Sequence, residues 1–545
     1  MVPLGGSEMQ LSPSAHVDTF CRDNLPPDGL WPDLKFTLPG LRYPQRLNGA
    51  VELLDVTADA RGHDRPCLLS PEATWSYGEV VRVSNQVARV LAEDFGVVAG
   101  NRVLLRGPNN PWLAACWLGV VKAGGVAVAT MSLLRAGELA TICRVAQPSL
   151  ALCDHRFLDE LTAGVPGLEV VSFGGPGPAD LAQRAARMPG GFAAVATAAD
   201  DVAMIAFTSG TTGRPKAAMH FHRDLLAMAD TFSEHVLKPR ADDIFTGTPP
   251  LAFTYGLGGL LGFPLRAGAA TLLLERATPA ELADQIAARG VTVCSTAPTA
   301  FRAMIAAGKA AQLRGLRRPV SAGEHLSAST WQAFYDATGV QIIDGIGSTE
   351  MLHIFISSSD DQIRPGSTGR AVPGYEAAIL DEDGKPVPDG TPGRLAVKGP
   401  TGCLYLADDR QRSYVQDGWN LTGDTYLRDD DGYFWYQARS DDMIISGGYN
   451  IAGPEIEEVL LGHPDVTECG VVGVPDASRG QIVTAYVVLR EGAAGDAAKV
   501  AELQAFVKQR IAPYKYPRSM RFLAALPRTN TGKLQRFRLR DRAEG

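Results

Sequence analysis

Directly after the apolar run Val202 to Phe207, the chain reads Thr208-Ser209-Gly210-Thr211-Thr212-Gly213-Arg214-Pro215-Lys216. Hydroxyls add donors, glycines let backbone N–H groups approach an anion, and Lys216 brings a point charge, so these residues in this order suit a phosphate cradle. A Ser/Thr/Gly run taken alone reads as a surface loop. The spacing G-x-x-x-x-G-K-[ST] is absent, which excludes a kinase-like or motor-like P-loop. A second cluster, Asp344-Gly345-Ile346-Gly347-Ser348-Thr349-Glu350, sets a carboxylate beyond a glycine-bearing turn after a predicted strand. Mg²⁺ is commonly bound by one or two carboxylates together with phosphates, and Glu350 is placed for that. By itself Glu350 reads equally well as a carboxylate at a helix start.

The string Thr208 to Lys216 resembles the signature of the adenylate-forming enzymes, which include acyl-CoA and aryl-CoA ligases, peptide-synthetase adenylation domains and luciferases. Residues Asp344 to Glu350 resemble the family's second ATP signature, usually Y-G-x-T-E, with Ile346 replacing the tyrosine and Ser348 in the variable place. An aliphatic side chain must then pack near adenine, a departure that recurs in benzoate-type ligases. The resemblance extends nucleotide binding to Gly323 and Glu324, to Asp424 of Leu421-Thr422-Gly423-Asp424 at the ribose, and to Arg439 at the ribose or α-phosphate. Pro527-Arg528-Thr529-Asn530-Thr531-Gly532-Lys533 resembles the loop P-x-T-x-[ST]-G-K. An isolated lysine is an ordinary surface residue. In this family that lysine enters the nucleotide site and neutralises the acyl-phosphoryl transition state, an electrostatic role. The resemblance thus implies Lys533, Lys216 and Glu350 as the catalytic set, with ATP, Mg²⁺ on Glu350, and coenzyme A as co-substrate. It also makes Asp441 a hinge and Ser446, Gly447, Gly448 and Tyr449 the wall of a pantetheine tunnel, Tyr449 standing where glutamate is often found.

Phe253-Thr254-Tyr255-Gly256 follows Pro249-Pro250, where this family lines its carboxylate pocket. An aromatic ring beside glycines makes a flat slot suited to a planar acid. His353 would share a face with Glu350 if a helix began near Ser348, although a histidine in Met351-Leu352-His353-Ile354-Phe355 is ordinarily a core residue. The run Gly345 to Phe355 resembles benzoate–CoA ligases, whose aryl pocket uses this histidine and the tyrosine of the F-x-Y-G-L segment. His220 and His222 would share one strand face, as structural or pocket-rim residues. Ala15 to Phe20, Met219 to Asp224 and Leu251 to Leu261 most resemble 2-aminobenzoate–CoA ligases. The resemblance therefore implies an ATP-dependent ligase making an aryl-CoA thioester through an aryl-AMP, with 2-aminobenzoate as the acid. The alternatives are benzoate or hydroxybenzoate, or an aryl adenylation enzyme loading a carrier protein.

These residues need a scaffold, and the intervening sequence supplies its pattern. Short β-rich runs alternate with helical ones: Val103–Leu105, Trp112–Ala123, Val126–Thr130, then Ala270–Leu274, Ala280–Arg289, Val291–Ser295, Pro298–Ala307, Val320–Ala322, Ser327–Thr338 and Val340–Ile343. That rhythm predicts an α/β fold of parallel, helix-flanked sheets. From about 366 to 436, glycines, prolines and short strands predict an antiparallel, barrel-like unit. After Arg439 the pattern predicts a separate small α+β domain; the resemblance implies that it is mobile and divides the chain into an adenylation domain over 1–438 and a C-terminal domain over 439–545. At 545 residues the chain exceeds the roughly 250–300 at which a single core stops growing, so more than one domain is expected.

A net charge of −8 argues against nucleic acid as a partner. The basic tail Lys533 to Arg542 reads as a solvated face or an anion-binding edge. The eight cysteines form no C-x-x-C pair and several lie in apolar runs, which predicts reduced thiols in a cytoplasmic protein. The N-terminus lacks a signal-peptide pattern, and Lys122 and Gly124-Gly125 break the apolar stretch Trp112 to Leu134 into helix, turn and strand, so neither secretion nor a membrane span is predicted. The expected partners are an aromatic carboxylic acid, ATP and CoA; a homodimer is left open.

Overall fold

The computed structural model describes residues 11–208, 215–439, 442–446, 449–476, 479–511, 515–528 and 534–542. Its scaffold is two large sheets. One is six-stranded, in the order Val170–Phe173, Leu150–Asp154, Arg102–Gly107, Val126–Met131, Val202–Thr208, Lys216–Phe221, parallel except for its last, antiparallel pair. The other is nine-stranded and parallel through Pro66–Leu69, Ala270–Leu272, Ile244–Gly247, Val293–Thr296, Arg318–Ser321 and Ile343–Gly347, with antiparallel strands at both edges.

Two helices join these sheets. Tyr77–Arg89 touches the strand Pro66–Leu69, Pro111–Lys122 touches Arg102–Gly107 and Val126–Met131, and the helices pack on each other, so one hydrophobic core runs from sheet to sheet. Local chemistry fixes their starts. Ser76 and Glu79 form a capping box, and Asn110 caps the helix opened by Pro111, each cap contributing about 1 kcal/mol. Within this core Lys122 is fully buried and compensated by Asp55 at 2.9 Å and Asn85 at 2.8 Å, as a buried charge must be.

Glu376–Leu380, Gly393–Lys398, Trp419–Arg428, Val415–Gln416 and Phe434–Arg439 form an antiparallel five-stranded sheet, in the β-rich region read from the sequence. A further five-stranded sheet, Tyr449–Ile451, Ile444–Ser446, Gly480–Leu489, Val466–Asp476 and Ser519–Phe522, covers its own core of Ile444, Ile456, Leu460, Val471, Val483 and Leu503 with the helices Gly453–Leu461 and Ala497–Lys508.

Most predicted elements stand where the pattern put them, with three corrections. The strand expected at Val340–Ile343 is Ile343–Gly347, moved toward the functional cluster. No helix begins near Ser348: Ile343–Gly347 and Ile354–Ser357 pair antiparallel, and the residues between them form a turn. His220 and His222 do not share a strand face, because His220 ends within the strand Lys216–Phe221 and His222 opens the helix His222–Met228. All eight cysteines are buried and free, and among the described residues no helix is long and apolar enough to cross a membrane.

Candidate active site

Thr208 and Lys216 are opposed residues at the end of an antiparallel pair, at the carboxyl end of the strand Val202–Thr208. In open α/β sheets that end is where ligands bind. Ser209, Gly210, Thr211, Thr212 and Gly213 of the predicted cradle lie outside the described residues, as do the hinge Asp441, the glycines Gly447 and Gly448, the side chain of Tyr449, and Lys533. Lys216 Nζ stands 5.3 Å above the ring of Tyr405 and 5.8 Å from that of Tyr414. Cation–π contact of this kind contributes about 0.5–2 kcal/mol and leaves the ammonium's donors free to meet an anion.

Glu350 is buried, and its Oε1 accepts from the Tyr405 hydroxyl at 2.6 Å. Burial, reinforced by the Glu350 charge, pushes the Tyr405 phenol well up, so it stays a donor. The preceding turn is held twice more: Ser348 Oγ lies 3.2 Å from the Tyr414 hydroxyl, and the Thr349 carbonyl accepts from His220 Nε2 at 2.8 Å. Burial lowers His220 to about 4, so its imidazole is neutral and one nitrogen carries the proton given to Thr349. Gly347 stands here because a Cβ would lie 2.6 Å from the His353 carbonyl oxygen. Ile346, in the place of the family tyrosine, packs partly buried against the main core.

Past Glu350 the backbone turns through Leu352 at φ +67°, a left-handed conformation that costs a bulky residue about 1–2 kcal/mol. Glu350 thereby meets Tyr405, whereas His353 enters an aromatic slot with ring centroids 4.5 Å from Phe263, 5.5 Å from Phe232 and 5.6 Å from Tyr255. Both His353 ring nitrogens are buried without a hydrogen-bond partner, and burial lowers the imidazole to about 3. A buried neutral ring with two unsatisfied nitrogens invites a ligand's polar group. Tyr255, partly buried, donates to the Val320 carbonyl at 3.1 Å. Phe253 precedes the helix Thr254–Leu257, which runs through Gly256 into a π-helical turn, Gly258–Gly262. A Cβ on Gly258 would fall 2.4 Å from His353 Cδ2, and one on Gly256 would fall 2.0 Å from the Pro250 carbonyl oxygen, so both glycines are required by close approach.

Asp424 faces Arg439 across the antiparallel sheet, and Arg439 Nη1 donates to Asp424 Oδ1 at 3.1 Å. Gly423 between them has φ +76°, which only glycine adopts readily. The carboxyl of Asp344 has a buried, partnerless Oδ1, and burial raises it well above the usual range. Gly323 turns with φ +88° after the strand Arg318–Ser321, and Glu324 pairs with Arg528 at 3.1 Å. Ser446 is buried at the end of the antiparallel pair Ile444–Ser446 and Tyr449–Ile451, in the sheet of the C-terminal segment. Arg528 bridges to Leu534, at the base of the segment that carries Lys533.

The structure thus gathers Thr208, Lys216, Ser348, Thr349, Glu350, Tyr255 and His353 around adjoining strand ends. Sequence reasoning missed Tyr405, Tyr414, Phe232 and Phe263. The two tyrosines lie in Cys403 to Val415 with no motif to mark them, and the phenylalanines look like any core residues until the fold closes on His353.

The AMP-binding enzyme family model matches residues 54–404, and the AMP-binding enzyme C-terminal domain model matches residues 455–533. A benzoate–CoA ligase of Thauera aromatica is 34% identical over 516 residues, covering 93% of this chain and 98% of that protein. The crystal structure of the anthranilate CoA ligase AuaEII in complex with anthranoyl-AMP superposes with a TM-score of 0.88 at 34% identity, over 93% of this chain and 99% of that one. The benzoate CoA ligase of Burkholderia xenovorans LB400 superposes with a TM-score of 0.84 at 32% identity, over 91% and 100%.

Proposed function

This chain belongs to the AMP-binding enzyme family, the adenylate-forming ligases, and from that premise we propose that it activates a benzoate-type acid with ATP and passes the aryl group to coenzyme A. One observation carries the reading: a single turn, Ser348 to His353, sends Glu350 toward Lys216 and Tyr405 on one side and His353 into an aromatic slot on the other. On this reading the ring of a planar acid packs beside His353 and turns its carboxylate toward the charged groups that must meet ATP.

In the first step a carboxylate oxygen of the acid attacks the α-phosphorus and pyrophosphate leaves, giving an aryl-AMP. The segment from Thr208 to Lys216 holds the β- and γ-phosphates, with Lys216 opposing their charge, and Lys533 neutralises the pentavalent transition state. Glu350 fits Mg²⁺, since among the described residues Tyr405 holds one carboxylate oxygen and the other accepts no hydrogen bond; bound there, the ion would neutralise phosphate charge. Asp424 and Arg439 take the ribose and α-phosphate, while Gly323, Glu324 and the strand end Asp344 to Gly347 bound the base. In the second step the CoA sulfur attacks the acyl carbon and AMP leaves. We assign that step to a rotation about Asp441 of a 439–545 domain against a 1–438 domain, presenting Ser446 to Tyr449. Of benzoate-type acids, 2-aminobenzoate is the one we favour, on the ligand of the anthranilate ligase that this chain resembles and on the two nitrogens of His353 that a ring substituent could engage.

The test is pyrophosphate release over benzoate, 2-aminobenzoate, the hydroxybenzoates and octanoate, followed by thioester formation with free CoA against holo carrier proteins. Release with octanoate but none of the aromatic acids overturns the aryl reading, and transfer to carrier alone overturns CoA as acceptor.

A further inference from the structure

Tyr405 is fully buried, and its position is set from its own backbone outward. The segment Cys403 to Leu406 runs beside the strand Lys216–Phe221, with Met219 N donating to the Leu404 carbonyl at 2.8 Å and Leu406 N to the Ala217 carbonyl at 2.9 Å. Gln411 locks it from the other side: its Oε1 accepts from Tyr405 N at 2.9 Å while its Nε2 donates to the Leu30 and Cys403 carbonyls, each at 2.9 Å. Tyr414 packs edge-on at 5.7 Å, completing an aromatic floor. Lys216 stands on that floor, and the Tyr405 hydroxyl reaches past it to Glu350. Two opposite charges of one site are thus separated by a ring. Among the described residues Lys216 and Glu350 form no ion pair: the lysine meets the face of the Tyr405 ring and the carboxylate its hydroxyl, although opposite charges on one tyrosine would otherwise gain by collapsing together.

We propose that Tyr405 is a positioning residue for the metal–phosphate site: its hydroxyl fixes the Glu350 carboxylate with one oxygen facing a cation, and its ring keeps Lys216 apart for phosphate. The inference rests on the assignment of Glu350 made above. Outer hydrogen bonds to metal-binding carboxylates typically control metal affinity by about 10- to 100-fold. Tyr405→Phe deletes only the hydroxyl and keeps the floor under Lys216, so it separates the two functions of the side chain.

The experiment titrates Mn²⁺ into the full-length enzyme with α,β-methylene-ATP, following free Mn²⁺ by electron paramagnetic resonance. The nucleotide analogue alone is titrated by calorimetry in the absence of divalent ion. Tyr405→Phe is expected to weaken Mn²⁺ binding by about tenfold or more and to leave metal-free nucleotide binding within about twofold, since the Lys216 environment is intact. In a Glu350→Gln background the same change is expected to add nothing, because the phenol acts through that carboxylate. Wild-type Mn²⁺ affinity in Tyr405→Phe, with Glu350→Gln impaired, would overturn the role of Tyr405 and leave the functional reading standing. Unchanged Mn²⁺ binding in both variants would remove the Glu350 assignment and this proposal together. Equal losses with and without metal, or additive effects of the two changes, would make Tyr405 a packing residue only.

Discussion

The imidazole of His353 is held uncharged by burial among three aromatic rings, and that state has consequences for both selectivity and stability. A protonated ring in the slot would be unpaired, so burial pushes His353 to about 3, His222 to about 3 and His220 to about 4, from 6.5 in a solvated chain. Between pH 6.5 and about 4 the unfolded chain binds protons at these positions and the native one does not, so unfolding becomes easier as pH falls through that window. Asp224 opposes this: raised to about 6 by burial, it takes up its proton in the native state first and adds stability over the same fall. Because His353 is one of these groups, the fall in melting temperature from pH 6.5 to 4 is expected to be less steep in His353→Gln than in the unsubstituted protein; a profile unaffected by that change is the contrary result. At the reacting centre, Lys533→Ala is expected to slow adenylation by about 10²- to 10³-fold, the scale of losing one preorganised electrostatic donor, and to spare thioester formation from supplied aryl-AMP. Equal losses in the two half-reactions would contradict an adenylation-specific lysine.

Among the elements, the π-helical turn Gly258–Gly262 matters most for the acid. It carries glycine past the edge of the His353 ring, and Phe263 immediately beyond it closes the slot at 4.5 Å. Gly258→Ala must displace either the imidazole or the turn. The expected cost is about 1–3 kcal/mol of stability, the usual penalty of overpacking, with a raised KM for the aromatic acid and an unaltered KM for ATP; a raised KM for ATP alone would show that the turn does not bound the acid slot. Tyr255, tied to the Val320 carbonyl, and His353 stand on opposite elements of the same slot. Replacing both with alanine is expected to erode the preference for benzoates over octanoate, and a conserved preference order speaks against them as selectivity residues.

At the scale of the whole molecule, the C-terminal segment meets the large one, among the described residues, where the helix Gly453–Leu461 packs on the strand Phe434–Arg439 and the helix Ala328–Thr338, with polar contacts beside it. Arg528 pairs across the junction with Glu324 at 3.1 Å and within its own segment with Glu468 at 2.7 Å, Ser329 N donates to Glu458 Oε1 at 2.8 Å, and Arg302 donates to the Thr467 carbonyl. His325 stacks on Tyr436 at 5.2 Å beside them. Partly exposed ion pairs are worth about 0–1 kcal/mol each and are screened by salt, so such an interface is easily exchanged for another. Arg528→Gln is expected to shift the balance of lobe arrangements by about two- to fivefold, read as a changed distance between fluorophores on the two lobes. An unchanged distribution, at low and at high salt alike, would show that this ion pair does not hold the arrangement.

The strand and helix order was legible from residue types and spacing, because hydrophobic period and turn chemistry act over a few neighbouring residues; the cradle was read from its glycines and hydroxyls and the terminal lysine loop from family resemblance, and both fall largely outside the described residues. Glu350 and His353 were also found by position, yet the relation between them was misread: a helix would have set them on one face, and the antiparallel return of Ile354–Ser357 onto Ile343–Gly347 parts them instead. Tyr405, Tyr414, Phe232 and Phe263 carried no local mark. Their roles come from long-range burial, where a phenol meets a carboxylate and two rings meet an imidazole only after distant strands have been brought side by side. The sequence determined which chemical groups are available and which short loops present them; the tertiary structure decided which of them touch, because contact between residues far apart in the chain is settled by packing rather than by local preference.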